Sequence, residues 1–300
     1  MRILVTGASG QVGSATVQRL EPCATVIATD RASLDLSKLD AIPATLDKTA
    51  PELVINAAGY TAVDRSEEQP ALARRVNAEG PGVMAQWCAN HGVPLIHFST
   101  DYVFDGHGTR GWSESDTPRP LSAYGASKLA GEERIRAAGG AHLIVRTSWI
   151  YAARGTNFLR RIAALAKTND ELRVIADQVG APTSAALIAE TLHTMLAPGL
   201  TTFREKASRA GGLVHLAASG ETSWYEFAAQ IVNGLRSRGV SLSVERIVPI
   251  RTQDYPLAAQ RPLNSRFDLG RLQSVFGITP PHWQEVLNSE LDRLAQDQDL

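Results

Sequence analysis

Cysteine is nearly absent from this chain. Its 300 residues hold two, Cys23 and Cys88, far apart and in no Cys-x-x-Cys or Cys/His pattern. A disulfide framework and a thiolate metal site are therefore not expected. Excess charge of either sign is also missing: 30 basic residues face 31 acidic ones, for a net charge of −1. Nothing in that balance suits nucleic acid or an anionic membrane. No apolar run is long enough to cross a bilayer. The chain opens on a strand pattern, Arg2-Ile3-Leu4-Val5, without the architecture of a signal peptide. Internal repeats, low-complexity tracts and long linkers are lacking as well. What remains is a cytoplasmic globular protein, 44% apolar and long enough to bury a sizeable core.

The first half alternates short apolar runs with helical patterns. Strands are expected at Arg2 to Thr6, Thr25 to Thr29, Leu53 to Ala58, Pro94 to Ser99 and His142 to Val145. Helices are expected at Gln11 to Leu20, Ala71 to His91 and Ala123 to Ala138. Strands separated by helices imply an α/β fold with a doubly wound, Rossmann-like parallel sheet. From about Ala152 the regularity falls. Helices remain expected at Phe158 to Thr168, Ala185 to Leu196, Trp224 to Ser237 and Trp283 to Gln296, and a strand at Leu213 to Ala217 that could rejoin the sheet. This reads as a dinucleotide-binding domain over 1–151 and a smaller, intertwined, mainly substrate-binding lobe over 152–300.

Parallel sheets bind ligands beyond the carboxyl ends of their strands. Gly7-x-x-Gly10-x-x-Gly13 follows the first strand and opens a helix. Gly7 and Gly10 permit a tight turn and close approach of a pyrophosphate, and Gly13 permits close helix packing. Asp30 ends the second strand, where a carboxylate can accept from the ribose hydroxyls of NAD; Arg31 could instead attract the 2′-phosphate of NADP. NADH is the expected cofactor, with NADPH also possible. Tyr124 and Lys128, four residues apart, share one helix face. A nearby cation favours phenolate, so the Tyr124 pKa is expected to fall, suiting proton transfer to a carbonyl.

These motifs, with Asn56-Ala57-Ala58-Gly59 and Ser99-Thr100-Asp101, occur in an order that resembles the extended short-chain dehydrogenase/reductase superfamily. Asp177-Gln178-x-Gly180-Ala181-Pro182-Thr183, Ser99 through Phe104, Arg146-Thr147-Ser148-Trp149-Ile150-Tyr151 and Arg261-Pro262-x-Asn264-Ser265 narrow the resemblance to the dTDP-4-dehydrorhamnose reductase family, from residue 1 to about 290. The resemblance implies reduction of a 4-keto sugar attached to dTDP. Tyr124 would protonate the carbonyl oxygen, Thr100 would hydrogen-bond it, and Lys128 would contact the nicotinamide ribose. Gln11 and Val12 would line the pyrophosphate loop, Asp35-Leu36 would lie near the adenine, and Ala57, Ala58, Gly59-Tyr60-Thr61 and Phe98 would flank the nicotinamide half. Asp101 and Trp149 would touch the sugar, Arg261 the substrate diphosphate. Asn77 would support the Lys128 region or cap a helix. The histidines form no constellation.

Some relatives dimerise through magnesium held by glutamates. The matching positions here are Ala15, Ala186 and Gln284. Hard cations need oxygen ligands, so no magnesium bridge and a monomer are expected. Two other readings stay open: a nucleotide-sugar epimerase or dehydratase, and a non-catalytic protein resembling regulatory subunits of methionine adenosyltransferase.

Overall fold

The computed structural model describes residues 1–296. The first half builds β1 (Arg2–Thr6), α1 (Gln11–Leu20), β2 (Thr25–Thr29), α2 (Ala41–Thr49), β3 (Leu53–Asn56), α3 (Val63–Glu68), α4 (Pro70–Arg74), α5 (Gly80–His91), β4 (Leu95–Thr100), α6 (Ala123–Ala137) and β5 (His142–Thr147). Then follow β6 (Ile150–Tyr151), α7 (Phe158–Thr168), β7 (Glu171–Ile175), β8 (Val179–Gly180), β9 (Thr183–Ser184), α8 (Ala185–Leu196) and α9 (Leu200–Arg209). The rest comprises β10 (Leu213–His215), β11 (Thr222–Ser223), α10 (Trp224–Ser237), β12 (Arg246–Ile250) and α11 (Trp283–Ala295).

The central sheet runs β10-β5-β4-β3-β1-β2, with every pairing parallel. Its strand order reverses between β1 and β3, so the crevice for a ligand opens above their carboxyl ends. The expected return of a later strand occurs: Leu213 pairs with Ile144 and His215 with Arg146. Alternate side chains of β1 feed opposite faces. Ile3 and Val5 pack with Leu20 of α1 and Ile188 and Leu192 of α8; Leu4 packs with Ile42 and Leu46 of α2 and Met84 of α5. A third cluster lies wholly in the later chain and joins Leu159, Ile162, Phe227, Ile231, Leu287 and Leu291 from α7, α10 and α11.

The helix expected over Ala71 to His91 is continuous but not uniform. Between α4 and α5, Arg75–Glu79 forms a π-helical turn. Pro81 explains it: proline has no N–H to give the Asn77 carbonyl four residues back, and its ring crowds that carbonyl. The widened turn carries Asn77 toward α6. Helices α2 and α9 and the parallel pair β7–β12 have no counterpart in the sequence reading.

Candidate active site

A cleft of about 890 Å³ runs along the carboxyl ends of the sheet. At its near end the glycine turn joins β1 to α1. Gly7 has φ +67°, and a Cβ there would sit 2.7 Å from the Ala58 backbone. A Cβ on Gly13 would meet the Gly7 carbonyl oxygen at 2.1 Å, so the helix and the turn require glycine at both positions. The first turn of α1 carries no acidic residue, and Gly10 gives it no side-chain cap. Its N–H groups are left for an anion.

Of the residues singled out from the sequence, Gly7, Gly10, Gln11, Val12, Arg31, Asp35, Leu36, Ala57, Ala58, Gly59, Tyr60, Thr61, Phe98, Thr100, Asp101, Tyr124, Lys128 and Trp149 line this one cleft. Three do not. Gly13 is packed beneath the turn. Asp30 folds into its own loop, where Oδ1 accepts from the N–H of Ala32 and Ser33 and from Ser33 Oγ at 3.1, 3.0 and 2.7 Å. Arg261 is held by Asp64, with Nη1–Oδ1 and Nη2–Oδ2 contacts of 3.1 and 2.7 Å.

The floor of the cleft is built by β4 and α6. Ser122 caps α6 by accepting from the Gly125 N–H at 3.1 Å. That sets Tyr124 and Lys128 in successive turns. The Tyr124 hydroxyl is close enough to Thr100, the last residue of β4, for that side chain to act on its pKa. Thr100 Oγ1 donates to Asp101 Oδ1 at 3.0 Å, and Ser265 Oγ donates to Asp101 Oδ2 at 2.5 Å. Burial nevertheless pushes Asp101 up to about 6, against these two bonds.

Lys128 corrects one expectation. Its Nζ donates to the Phe98 carbonyl at 2.6 Å and lies 3.3 Å from His97 Nε2. The tyrosine is governed by burial instead, which pushes it up to about 12 while Thr100 opposes the rise. Loss of hydration, to which the Asp101 charge adds, keeps Tyr124 a neutral phenol at physiological pH. Burial also lowers Lys128 to about 8, with Glu132 pulling the other way.

His97 was missed as a neighbour of the site, because a histidine inside an apolar strand reads as core. It is fully buried and joins a polar chain. Thr6 Oγ1 and the Ala58 N–H donate to Asn56 Oδ1 at 2.6 and 3.2 Å. The Asn56 amide group is then left to donate to His97 Nδ1 at 2.9 Å. Burial and the nearby lysine keep His97 well below its usual pKa, so the ring is neutral and its proton sits on Nε2, facing Lys128. Two donors face each other there unless the lysine is a neutral amine, which is the direction in which burial moves it.

Asn77 is not a helix cap. From the π turn its Oδ1 accepts from the Tyr60 N–H at 2.8 Å, and its Nδ2 donates to the Tyr60 carbonyl at 3.0 Å and to Ser127 Oγ at 2.9 Å. Trp149 is not core either. It takes a left-handed φ of 50°, and its ring lies flat on Trp224, with centroids 3.7 Å apart. Behind the floor, buried Glu132 accepts from Arg146 Nε and Nη2 at 2.8 and 2.6 Å and from Ser99 Oγ at 2.6 Å.

Gln11 Oε1, Thr147 Oγ1 and Ser148 Oγ are buried with no hydrogen-bond partner among the described residues, and all three residues line the cleft. Orphaned polar atoms along a cleft are the mark of a polar ligand's place. Thr147 ends β5 as Thr100 ends β4, and Ser148 follows it, so strand-end position marks both in the sequence. Arg154 to Asn157, also in the wall, had no such signal.

Comparison with known proteins agrees with this geometry. Residues 1–296 match the family described as the RmlD substrate binding domain. The chain is 43% identical to the dTDP-4-dehydrorhamnose reductase of Burkholderia thailandensis, over 95% of this chain and 96% of that one. A crystal structure of the Clostridium acetobutylicum dTDP-4-dehydrorhamnose reductase superposes with a TM-score of 0.89 at 36% identity, covering 98% and 99% of the two chains. The Bacillus anthracis dTDP-4-dehydrorhamnose reductase, solved in complex with NADP, gives 0.88 at 31% identity over 97% and 99%.

Proposed function

Because the chain belongs to the dTDP-4-dehydrorhamnose reductase family, we propose that this cleft reduces the C4 keto group of dTDP-4-dehydro-L-rhamnose to dTDP-L-rhamnose, the last step in making that nucleotide sugar. The observation that carries the reading is the Thr100, Tyr124 and Lys128 set on the floor of a cleft whose other end is the glycine turn. Bound NADPH or NADH supplies the hydride. Gly7, Gly10, Gln11, Val12 and the N-terminus of α1 hold its pyrophosphate, Asp35 and Leu36 its adenosine half, and Ala57 to Thr61 with Phe98 its nicotinamide half.

Negative charge grows on the carbonyl oxygen as the C4 carbon accepts hydride. Tyr124, kept protonated by burial, gives its phenolic proton to that oxygen. Thr100 Oγ1 hydrogen-bonds the same oxygen and lowers the energy of the developing charge. Lys128 would contact the nicotinamide ribose, and in its protonated form it favours the phenolate that the transfer creates. Asp101 and Trp149 position the sugar. The division of labour is a dinucleotide-binding unit over 1–151 and a mainly substrate-binding lobe over 152–300.

Both nicotinamide cofactors are accepted. The Asp30 carboxylate accepts hydrogen bonds within its own loop, while the Arg31 side chain is 82% exposed at the rim, open to a 2′-phosphate. With Ala15, Ala186 and Gln284 where a magnesium bridge needs carboxylates, the protein is a monomer. Sedimentation with and without EDTA tests that; a dimer that dissociates on chelation would refute it.

The deciding experiment follows absorbance of the reduced nicotinamide in the presence of a dTDP-4-keto-6-deoxy sugar. Oxidation that depends on the sugar, with dTDP-L-rhamnose formed, is the expected result. Cofactor binding without oxidation would favour a non-catalytic binding protein.

A further inference from the structure

We propose that Arg154 closes over the cofactor from the far side of the cleft and binds its pyrophosphate. The proposal rests on the reading above that the cleft holds a nicotinamide dinucleotide, and it adds a residue from the later half of the chain to that site.

Three cationic side chains stand among the described residues that line the cleft: Arg31, Lys128 and Arg154. Two are accounted for by position. Arg31 stands beside Leu34, Asp35 and Leu36 at the adenosine end. Lys128 is at the reacting end and is committed to the Phe98 carbonyl. Between them the phosphates would lie, carrying two formal negative charges. The N-terminus of α1 offsets about half of one charge. A cation over the glycine turn would offset part of the remainder, and Arg154 is the cleft-lining cation left for it among the described residues.

The local geometry brings it there. The segment that follows β6 passes over the start of α1, and a Cβ built on Gly155 would lie 3.9 Å from Gln11 Cγ. Its base is fastened: Asn157 Nδ2 donates to the carbonyls of Ala152 and Arg154 at 2.8 and 3.0 Å. The same Asn157 caps α7 through Oδ1, which accepts from the Arg160 N–H at 3.2 Å. Arg154 itself is exposed, with no carboxylate at salt-bridge distance among the described residues. An unpaired guanidinium, carried on an anchored loop against a phosphate-binding turn, can meet phosphate oxygens through two N–H groups at once.

The test compares Arg154→Ala and Arg154→Lys with the unaltered protein, by fluorescence titration of NADH, NADPH and, separately, dTDP. The expected result for the alanine variant is about tenfold weaker binding of NADH and NADPH alike, a shallower salt dependence for both, and unchanged dTDP binding. The lysine variant recovers part of the loss, because it keeps the charge and forfeits the fork. Weakening of NADPH alone would place Arg154 on the 2′-phosphate and overturn the proposal. Weakening of dTDP alone would place it on the substrate diphosphate, with the same consequence, as would no change at all. If the unaltered protein bound neither cofactor, the reading of the cleft itself would fall, an outcome distinct from all of these.

Discussion

Lys128 is 5% exposed, and replacing it with methionine should change how stability responds to pH. Burial lowers the lysine from 10.5 to about 8 in the folded, ligand-free protein. The unfolded chain holds its proton to the ordinary value. Between about pH 8 and 10.5 the unfolded state therefore binds more protons, and stability rises with pH. This contribution is fully present above 10.5 and is lost as pH falls through 8. At 1.36 kcal/mol per unit the drop corresponds to roughly 3 kcal/mol. Lys128→Met removes the titration and also the bonds to Phe98 and His97, a loss of about 1–3 kcal/mol that does not vary with pH. The two proteins should thus differ little near pH 7. From pH 7 to 10 the unaltered protein should gain on the variant by about 2–3 kcal/mol. Urea unfolding without cofactor at pH 7, 8, 9 and 10 measures this directly. Parallel stability profiles across that range would refute the reasoning, because they would mean the lysine titrates normally inside the fold.

Tyr124→Phe removes the proton donor and leaves the Thr100 bonds to Asp101 and the Tyr102 N–H in place. Turnover should fall by about 10²–10⁴ with the cofactor dissociation constant within about threefold; turnover within tenfold of normal would sink the assignment. Glu132→Gln strips the carboxylate from the buried Arg146 pair and should cost about 3–5 kcal/mol in chemical denaturation, whereas a loss under about 1 kcal/mol would show the pair to be dispensable. Asp30→Ala should shift the preference toward NADPH and Arg31→Ala toward NADH, judged by the ratio of kcat/KM values; unmoved ratios in both variants would remove these residues from cofactor choice.

Much of the site was legible because strand-end position is a local property. A parallel strand presents its last residue and the next few to the ligand crevice. Gly7, Gly59, Thr100 and Trp149 could therefore be picked out from the apolar runs that precede them. The 3.6-residue period likewise put Tyr124 and Lys128 on one face. Where contacts depend on distant segments, the chain could not be read this way. Asp64 reaches Arg261 across nearly two hundred residues, and no spacing rule connects them. His97 meets Lys128 only because β4 lies under α6.

The parallel sheet, the glycine turn and the tyrosine–lysine pair were determined by the sequence alone, since each follows from periodicity or from a residue's own backbone limits. Tertiary structure decided the charge states on the floor of the cleft. A cation four residues from a phenol favours ionisation in water. Enclosed by β4 and α6 the same phenol loses its hydration, so it stays protonated, and the lysine is moved toward the neutral amine. Burial, which no local pattern encodes, holds the phenol in its protonated form at neutral pH.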